Sequence, residues 1–231
     1  MPNSYKLLSV IIPVYNEKTT ISEVIEKVSA VELAIDKEII VIDDGSTDGT
    51  VEILRSSNVN VAKTHLAPIN SGKGAAVRIG LTLVKGDLIL IQDADLELNP
   101  NEYQQLIQPI IEGQTSVVYG SRFLGANTVS PVRRFANYFL TFTTNLLFRT
   151  KLTDMETAYK VFTAEVASTL DLQAKRFEIE PEITAQIAKN GFQILEVPIS
   201  YRPRTKSEGK KIKWKDGFKA LWTLLKYRFL K

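Results

Sequence analysis

"LILIQDADLELNP", residues 88 to 100, decides how this chain reads. Four apolar residues run straight into Asp93, Ala94 and Asp95, and Glu97 follows. A short, continuous apolar run is the signature of a strand buried on both faces of a parallel sheet. This one ends by gathering like charges, which costs stability unless a positive group joins them. "EIIVIDDGSTDGT" at 38 to 50 repeats the plan: an apolar strand, the carboxylates Asp43 and Asp44, then a turn rich in Gly and Ser. "LLSVIIPVY" at 7 to 15 is a third such run.

Between these strands the period changes. Ile21, Val24, Ile25 and Val28 recur at the spacing of one helix face. Thr47 or Asp48 can cap the next helix, which carries Val51, Ile53 and Leu54. "VNVAKTH" at 59 to 65 is a short strand, and "NSGKGAAVRIGLTLV" at 70 to 84 is a glycine turn opening a helix. Strands alternating with helices of this size imply an α/β fold, a mostly parallel sheet with helices on both faces. Ligands of such sheets gather outside the carboxyl ends of the strands, where Asp43, Asp44, Asp93 and Asp95 all fall.

Beyond about residue 115 the alternation weakens. "TSVVYGSRF" at 115 to 123 reads as a strand entering a loop, and "RRFANYFLTFTTNLLFRT" at 133 to 150 as an apolar-rich helix. "EIEPEITAQIAKNG" is a helix ended by Gly191, and "FQILEVPISYRPR" is a strand that Pro198 assigns to an edge. The last 18 residues read as helix. No linker interrupts the chain, so one domain over 1–212 with a C-terminal extension at 213–231 is expected.

Composition narrows the function classes. At 231 residues, 44% of them apolar and 24% charged, this is an ordinary globular chain. There is no Cys, which excludes disulfides, zinc–thiolate sites and thiol nucleophiles and suits a reducing compartment. No window approaches the roughly 18 to 20 apolar residues of a membrane span, and the N-terminal apolar stretch is too short for a signal peptide. A cytoplasmic protein, at most peripheral on the cytoplasmic face of a membrane, is the expectation. The net charge of +3 hides a separation of acidic clusters from basic ones, the latter at Arg122, Arg133 and Arg134 and along residues 201–231. That separation suits phosphate chemistry beside an anionic surface. No feature calls for a nucleic acid.

Carboxylate oxygens are hard ligands suited to Mg²⁺ or Mn²⁺, and Asp-x-Asp at a strand end lets two of them approach one ion. Taken alone, Asp-x-Asp is a weak motif, and Asp93 and Asp95 then read first as caps of a turn and of the following helix. "SGKG" offers backbone N–H groups and Lys73 to a phosphate, yet it lacks P-loop spacing and reads equally as a plain strand-to-helix turn. The lone His65 reads as a surface or structural residue rather than a base.

Taken together, "VIIPVYNE" at 10 to 17, "IDDGSTDGT" at 42 to 50, "NSGKGAAVRIG" at 70 to 80 and "DADLELNP" at 93 to 100 resemble family 2 glycosyltransferases of the GT-A fold. "YGSRF" at 119 to 123, "LTDMETAYKVF" at 152 to 162 and the segment from Phe177 to Gly217 extend the likeness to the polyprenyl-phosphate (dolichyl-phosphate) mannosyl- or glucosyltransferase branch. The resemblance implies that Pro13, Tyr15 and Glu17 form the first wall of a nucleotide-sugar site, with Asp44 facing the base. It places Asp93 and Ala94 by the nucleotide, and Asp95 with Glu97 on a divalent metal, Mg²⁺ or Mn²⁺. That metal is the positive group the acidic turn lacks.

A phosphate monoester acceptor is already ionised near neutral pH, so it needs cationic positioning rather than a strong base. Arg122 and Arg133 are the candidates, with Arg204 and Lys210 in a later loop that closes on the site in the family. Solvated basic loops are the plain alternative. Asp154 reads as an organiser of an arginine, as a buried cap, or as the base that relatives acting on hydroxyls carry in this region. The last helix places Trp214, Phe218, Leu221, Trp222, Leu225 and Phe229 on one face, with lysines over much of the rest. It reads equally as a helix packed on its own domain and as one lying on an anionic membrane. Many relatives carry C-terminal transmembrane helices, which leaves attachment through this helix together with residues 133–149, attachment through a membrane-protein partner, and no attachment at all open.

The expected enzyme is an inverting, metal-dependent glycosyltransferase moving a hexose from UDP-glucose or GDP-mannose to polyprenyl or dolichyl phosphate. The alternative is transfer to a saccharide hydroxyl in polysaccharide or glycolipid synthesis, with Asp154 as base.

Overall fold

The protein is described from a computed structural model covering residues 5–56, 61–125, 130–204 and 214–230, with the side chains of 132, 133, 214 and 215 left aside. Seven strands make one sheet in the order β3-β2-β1-β4-β6-β5-β7. They are β1 (Leu7–Val14), β2 (Asp36–Asp43), β3 (Lys63–Leu66), β4 (Leu88–Ile91), β5 (Val117–Ser121), β6 (Lys160–Thr163) and β7 (Ile194–Pro198). Only β6 runs antiparallel to its neighbours β4 and β5; the other pairings are parallel.

The apolar runs form strands because both of their faces are covered. From Leu8 to Val14 every residue of β1 is buried. One face, with Leu8, Val10 and Ile12, meets Val24, Ile25 and Val28 of α1 (Ile21–Ala30) and Leu106, Ile107 and Ile110 of α4 (Tyr103–Ile111). The opposite face, with Ile11, Ile40 and Ile89, meets Ala76 and Val77 of α3 (Lys73–Leu83) and Ile183 and Ile187 of α7 (Ile179–Lys189). The helical stripe expected at Ile21, Val24, Ile25 and Val28 is the buried face of α1. The N-cap of α2 (Thr50–Arg55) is Gly49 (φ 102°), neither Thr47 nor Asp48; Asp48, one residue before it, accepts from the Thr50 backbone N–H through Oδ1 at 3.0 Å.

The second half holds α5 (Pro131–Phe148), α6 (Ala164–Ser168) and α8 (Trp214–Phe229). β7 occupies a sheet edge and ends at Pro198, as its proline requires. α8 packs on α5 and α7, but not through the face its sequence suggests. Ala220, Thr223, Leu224 and Tyr227 are buried, while Phe218, Trp222 and Phe229 stay exposed. The buried face includes the Tyr227 ring, whose Oη donates to Glu182 of α7.

Two elements carry no plain sequence signal. α4 contains Pro109, and the four residues of β6 are entirely buried, Lys160 included. Among the described residues, no helix is long and apolar enough to cross a membrane.

Candidate active site

Parallel β1, β2 and β4 all end on one side of the sheet, and the acidic turns follow there. After β1, Asn16 takes a left-handed backbone (φ 51°), and its side chain accepts from the Thr47 N–H at 2.7 Å. This ties the first turn to the second. Pro13 and Glu17 are buried and Tyr15 is half-buried.

After β2 the two aspartates divide the work. Asp43 Oδ1 accepts from the N–H groups of Gly45 and Ser46, closing the turn, while its Oδ2 is buried without a partner among the described residues. Asp44 reaches across to the glycine turn instead. It accepts from Ser71 N–H (2.8 Å), Gly72 N–H (2.7 Å) and Asn70 Nδ2 (2.8 Å). Burial raises its carboxyl, opposed by those backbone donors. A carboxylate offers about four acceptor positions, and three of them are filled by the glycine turn. Gly72 (φ 103°) lies so close to the next loop that a Cβ would come within 2.4 Å of the Lys175 carbonyl.

Lys73 is turned inward. Its ammonium sits 2.6 Å from Asp93 Oδ1 and 2.9 Å from Glu180 Oε1. Burial alone would lower it, but Asp93 and then Glu180 hold it well above its ordinary value. Glu180 in turn binds Lys160. Burial would raise its carboxyl, and the two ammonium groups overcome that and lower it. The lysine expected on a donor phosphate is thereby the anchor of Asp93.

Asp95 and Glu97 flank Leu96, whose left-handed φ of 60° is unusual for a branched residue. The Asp95 carboxyl is pushed up to about 7 by burial, then by the charges of Asp93 and Glu97. That is a site short of positive charge. What supplies it here is Arg204. Its guanidinium bonds Glu17 at 2.7 and 3.1 Å, donates to the Asp95 carbonyl at 2.9 Å, and comes within 3.9 Å of the Asp95 carboxylate. Both oxygens of Glu97 are taken, Oε2 by Tyr201 Oη (3.0 Å) and Oε1 by the Arg204 N–H (2.7 Å). Glu97 thus fastens the 201–204 segment over the acidic turn. Among the described residues no three acidic or His side chains converge on a ready-made metal cage. Asp95 with Asp93 suits an ion that completes its shell from phosphate and water.

The cationic half lies past β5. Arg122 grips Asp154 through Nε–Oδ2 and Nη2–Oδ1, each 2.7 Å, and its backbone N–H adds a bond to Oδ2 at 3.0 Å. Asp154 is fully buried. Arg122 also stacks over the Tyr201 ring at 5.3 Å, joining it to the segment that carries Arg204. The side chain of Arg133 and all of Lys210 lie outside the described residues; Arg134 is exposed.

Three supporting groups escaped the sequence reading. Gln92, directly after β4, accepts from both Tyr103 Oη (2.8 Å) and Tyr159 Oη (2.7 Å), and so fixes the start of the acidic turn. Glu196 on β7 accepts from the N–H groups of Thr153 and Asp154. Lys160 is sealed in the core against Glu180. Only the carboxylate-rich "IEPEI" hinted at Glu180, and nothing local marked the others.

Comparison with known proteins agrees with this geometry. Residues 9–170 match the family model "Glycosyl transferase family 2". An uncharacterized protein of Methanocaldococcus jannaschii is 30% identical over 226 residues, 94% of this chain and 90% of that protein. An undecaprenyl-phosphate 4-deoxy-4-formamido-L-arabinose transferase of Aeromonas hydrophila is 38% identical over 114 residues; the match spans 47% of this chain and 35% of that enzyme. Among solved structures, glucosyl-3-phosphoglycerate synthase from Mycobacterium tuberculosis, in complex with Mn²⁺, UDP and phosphoglyceric acid, superposes with a TM-score of 0.75. It shares 20% identity, over 97% of this chain and 79% of that one. The fold is of the GT-A type. The chain belongs to glycosyl transferase family 2 and is a glycosyltransferase.

Proposed function

We propose that the enzyme moves a hexose from a nucleoside-diphosphate sugar to a phosphate-bearing acceptor, polyprenyl phosphate, with inversion at the sugar carbon. One observation carries the choice of acceptor. Asp154 is fully buried and both of its oxygens accept from Arg122. A hydroxyl acceptor needs a base with a free oxygen within reach of its proton. A phosphate monoester brings its own negative oxygen and needs a cation held in place, which Asp154 supplies by fixing the Arg122 fork. The undecaprenyl-phosphate sugar transferase that matches just under half of this chain supports the same acceptor class.

The donor would lie along the ends of β1, β2 and β4, with Asp44 accepting from the base and Glu17 near the ribose. Asp95 and Asp93 would hold a divalent cation, Mg²⁺ or Mn²⁺, against the pyrophosphate; the raised Asp95 carboxyl fits such a partner. Bound there, the metal supplies charge stabilisation to the leaving nucleoside diphosphate. Arg204 must then leave Asp95 as the donor enters, and the Tyr201–Arg204 segment is suited to turn its cation toward a phosphate. Phe135, Tyr138, Phe142 and Leu146 of α5, and Phe218 and Trp222 of neighbouring α8, are exposed, and so are Arg134 of α5 and Lys219 and Arg228 of α8. An apolar surface with basic residues suits an anionic bilayer, where a lipid acceptor resides.

The test is a transfer assay with UDP-glucose, UDP-GlcNAc and GDP-mannose, each with farnesyl phosphate and Mg²⁺ or Mn²⁺, with and without EDTA. A metal-dependent lipid-phosphate sugar from one donor is expected. Slow donor hydrolysis with no lipid product from any donor would overturn the phosphate acceptor in favour of a saccharide hydroxyl.

A further inference from the structure

A line of buried charge joins the two halves of the site: Asp93, Lys73, Glu180, Lys160, Glu156, Arg122, Asp154. The three cations each have a bonded carboxylate, Lys73 at Asp93, Lys160 at Glu180 and Arg122 at Asp154. Glu156 is the fourth acid, left over. Its Oε1 is buried and has no hydrogen-bond partner among the described residues, although the residue as a whole is half-buried rather than sealed. An ionised carboxylate with a bare buried oxygen is costly. A neutral carboxyl costs less, and it carries a proton with which to bond.

We propose that Glu156 is an acceptor-binding residue that works in its neutral form, donating a hydrogen bond to an anionic oxygen of the phosphate held at Arg122. The inference rests on the phosphate-acceptor reading above and adds a second ligand to it. The surroundings favour the neutral form. Burial, then Glu180 of α7, push the Glu156 carboxyl up to about 7, with Asp154 in its own turn adding to the rise; Lys160 of β6 and Arg122 after β5 oppose it. Glu196 of β7 stands behind the same turn through Thr153 and Asp154. A phosphate brought to Arg122 adds negative charge beside Glu156 and raises it further. An acceptor arriving at neutral pH therefore draws a proton onto the protein, whereas an ionised Glu156 would repel it.

The experiment is calorimetric titration of the full chain with farnesyl phosphate between pH 6 and 8.5, in buffers of different ionisation enthalpy, for wild type, Glu156→Gln and Glu156→Ala. At pH 7.5 the wild type is expected to take up more protons per ligand than Glu156→Gln, which cancels the ligand's own ionisation. Relative to that variant, wild-type affinity should fall by up to about tenfold per pH unit above 7. Glu156→Gln should match wild type at pH 6, and Glu156→Ala should bind weakly throughout. Equal proton uptake and parallel pH profiles in wild type and Glu156→Gln overturn the proposal while leaving the acceptor reading intact. No binding of farnesyl phosphate to wild type removes both. If Glu156→Gln does not fold, the wild type decides alone: no net proton uptake beyond the ligand's own overturns it.

Discussion

Arg122 and Asp154 meet fork to fork, two bonds of 2.7 Å with the Arg122 backbone N–H making a third at 3.0 Å. The aspartate is sealed and the arginine keeps 19% of its side chain open. One partner is thus scaffold, and the other is presented to whatever enters.

Breaking the pair from the scaffold side should act on the acceptor. Asp154→Asn is expected to raise the KM for farnesyl phosphate at least tenfold, and Arg122→Ala to do the same. The double variant should be little worse than either single one, because both remove one unit. Steady-state kinetics with all three variants is the check. A loss confined to kcat in Asp154→Asn, with Arg122→Ala spared, would instead mark a base.

Truncating Lys160 leaves Glu180 with only Lys73. Lys160→Met should lower the unfolding free energy by about 3 kcal/mol at pH 7, as expected for one partner of a buried pair. Glu180 is held below its ordinary value in the fold. Its pairing therefore stabilises above the unfolded value near ~4.3 and fades as pH falls through the folded one. Urea midpoints at pH 7 and pH 3.5 should show the gap between wild type and Lys160→Met narrowing in acid.

Asp95 has the opposite sign. Its carboxyl is raised to about 7 by burial, Asp93 and Glu97, so ionising it costs stability, and the cost grows from about pH 4 to pH 7 and then levels. In metal-free protein, Asp95→Asn should gain on the order of 1–3 kcal/mol at pH 8, discounted for partial exposure, and nothing at pH 4. Transfer activity should be lost in the same variant. Denaturation at the two pH values is decisive; an equal gain at both would remove the electrostatic explanation.

Gly72 is required by geometry. Its φ of 103° disfavours any side chain, and a Cβ would strike the Lys175 carbonyl. Gly72→Ala should cost about 1–3 kcal/mol and weaken nucleotide binding by moving the N–H that Asp44 accepts. Thermal denaturation together with UDP and GDP titration reads both effects.

The exposed rings can be tested apart from the chemistry. Phe142→Ser with Trp222→Ser should leave the melting temperature close to wild type, since each side chain is more than half exposed. Co-sedimentation with vesicles containing phosphatidylglycerol should fall by about tenfold or more, given ~1.5–3 kcal/mol per large apolar side chain removed from water. Unchanged sedimentation would send the search for a covering surface elsewhere.

Much of the fold was legible because its signals are local. Apolar runs within 7–14, at 39–42 and at 88–91 that lead into acidic turns, and the α1 stripe, announce strands and helices of an open parallel sheet without reference to anything distant. β6 was not legible. It is four residues long, contains a lysine, and is a strand only because two neighbours receive it antiparallel. The face of α8 was misjudged for a related reason. The largest apolar side chains marked the expected seam, whereas the buried face is the one carrying Tyr227, whose hydroxyl finds Glu182 on α7, a partner no local pattern announces.

The sequence by itself marked the candidates: the acids after β2 and β4 by side-chain type at strand ends, and Arg122, Asp154 and Arg204 only through the resemblance to family 2 glycosyltransferases. Tertiary structure alone decided what each one faces. Lys73 is spent on Asp93 and Glu180, Asp44 on the glycine turn, Glu97 on the 201–204 segment, and Arg204 on Glu17, 187 residues away. The physical reason is that a buried charge takes its partner from whatever the packed chain brings within about 3 Å, and no local pattern encodes that distance.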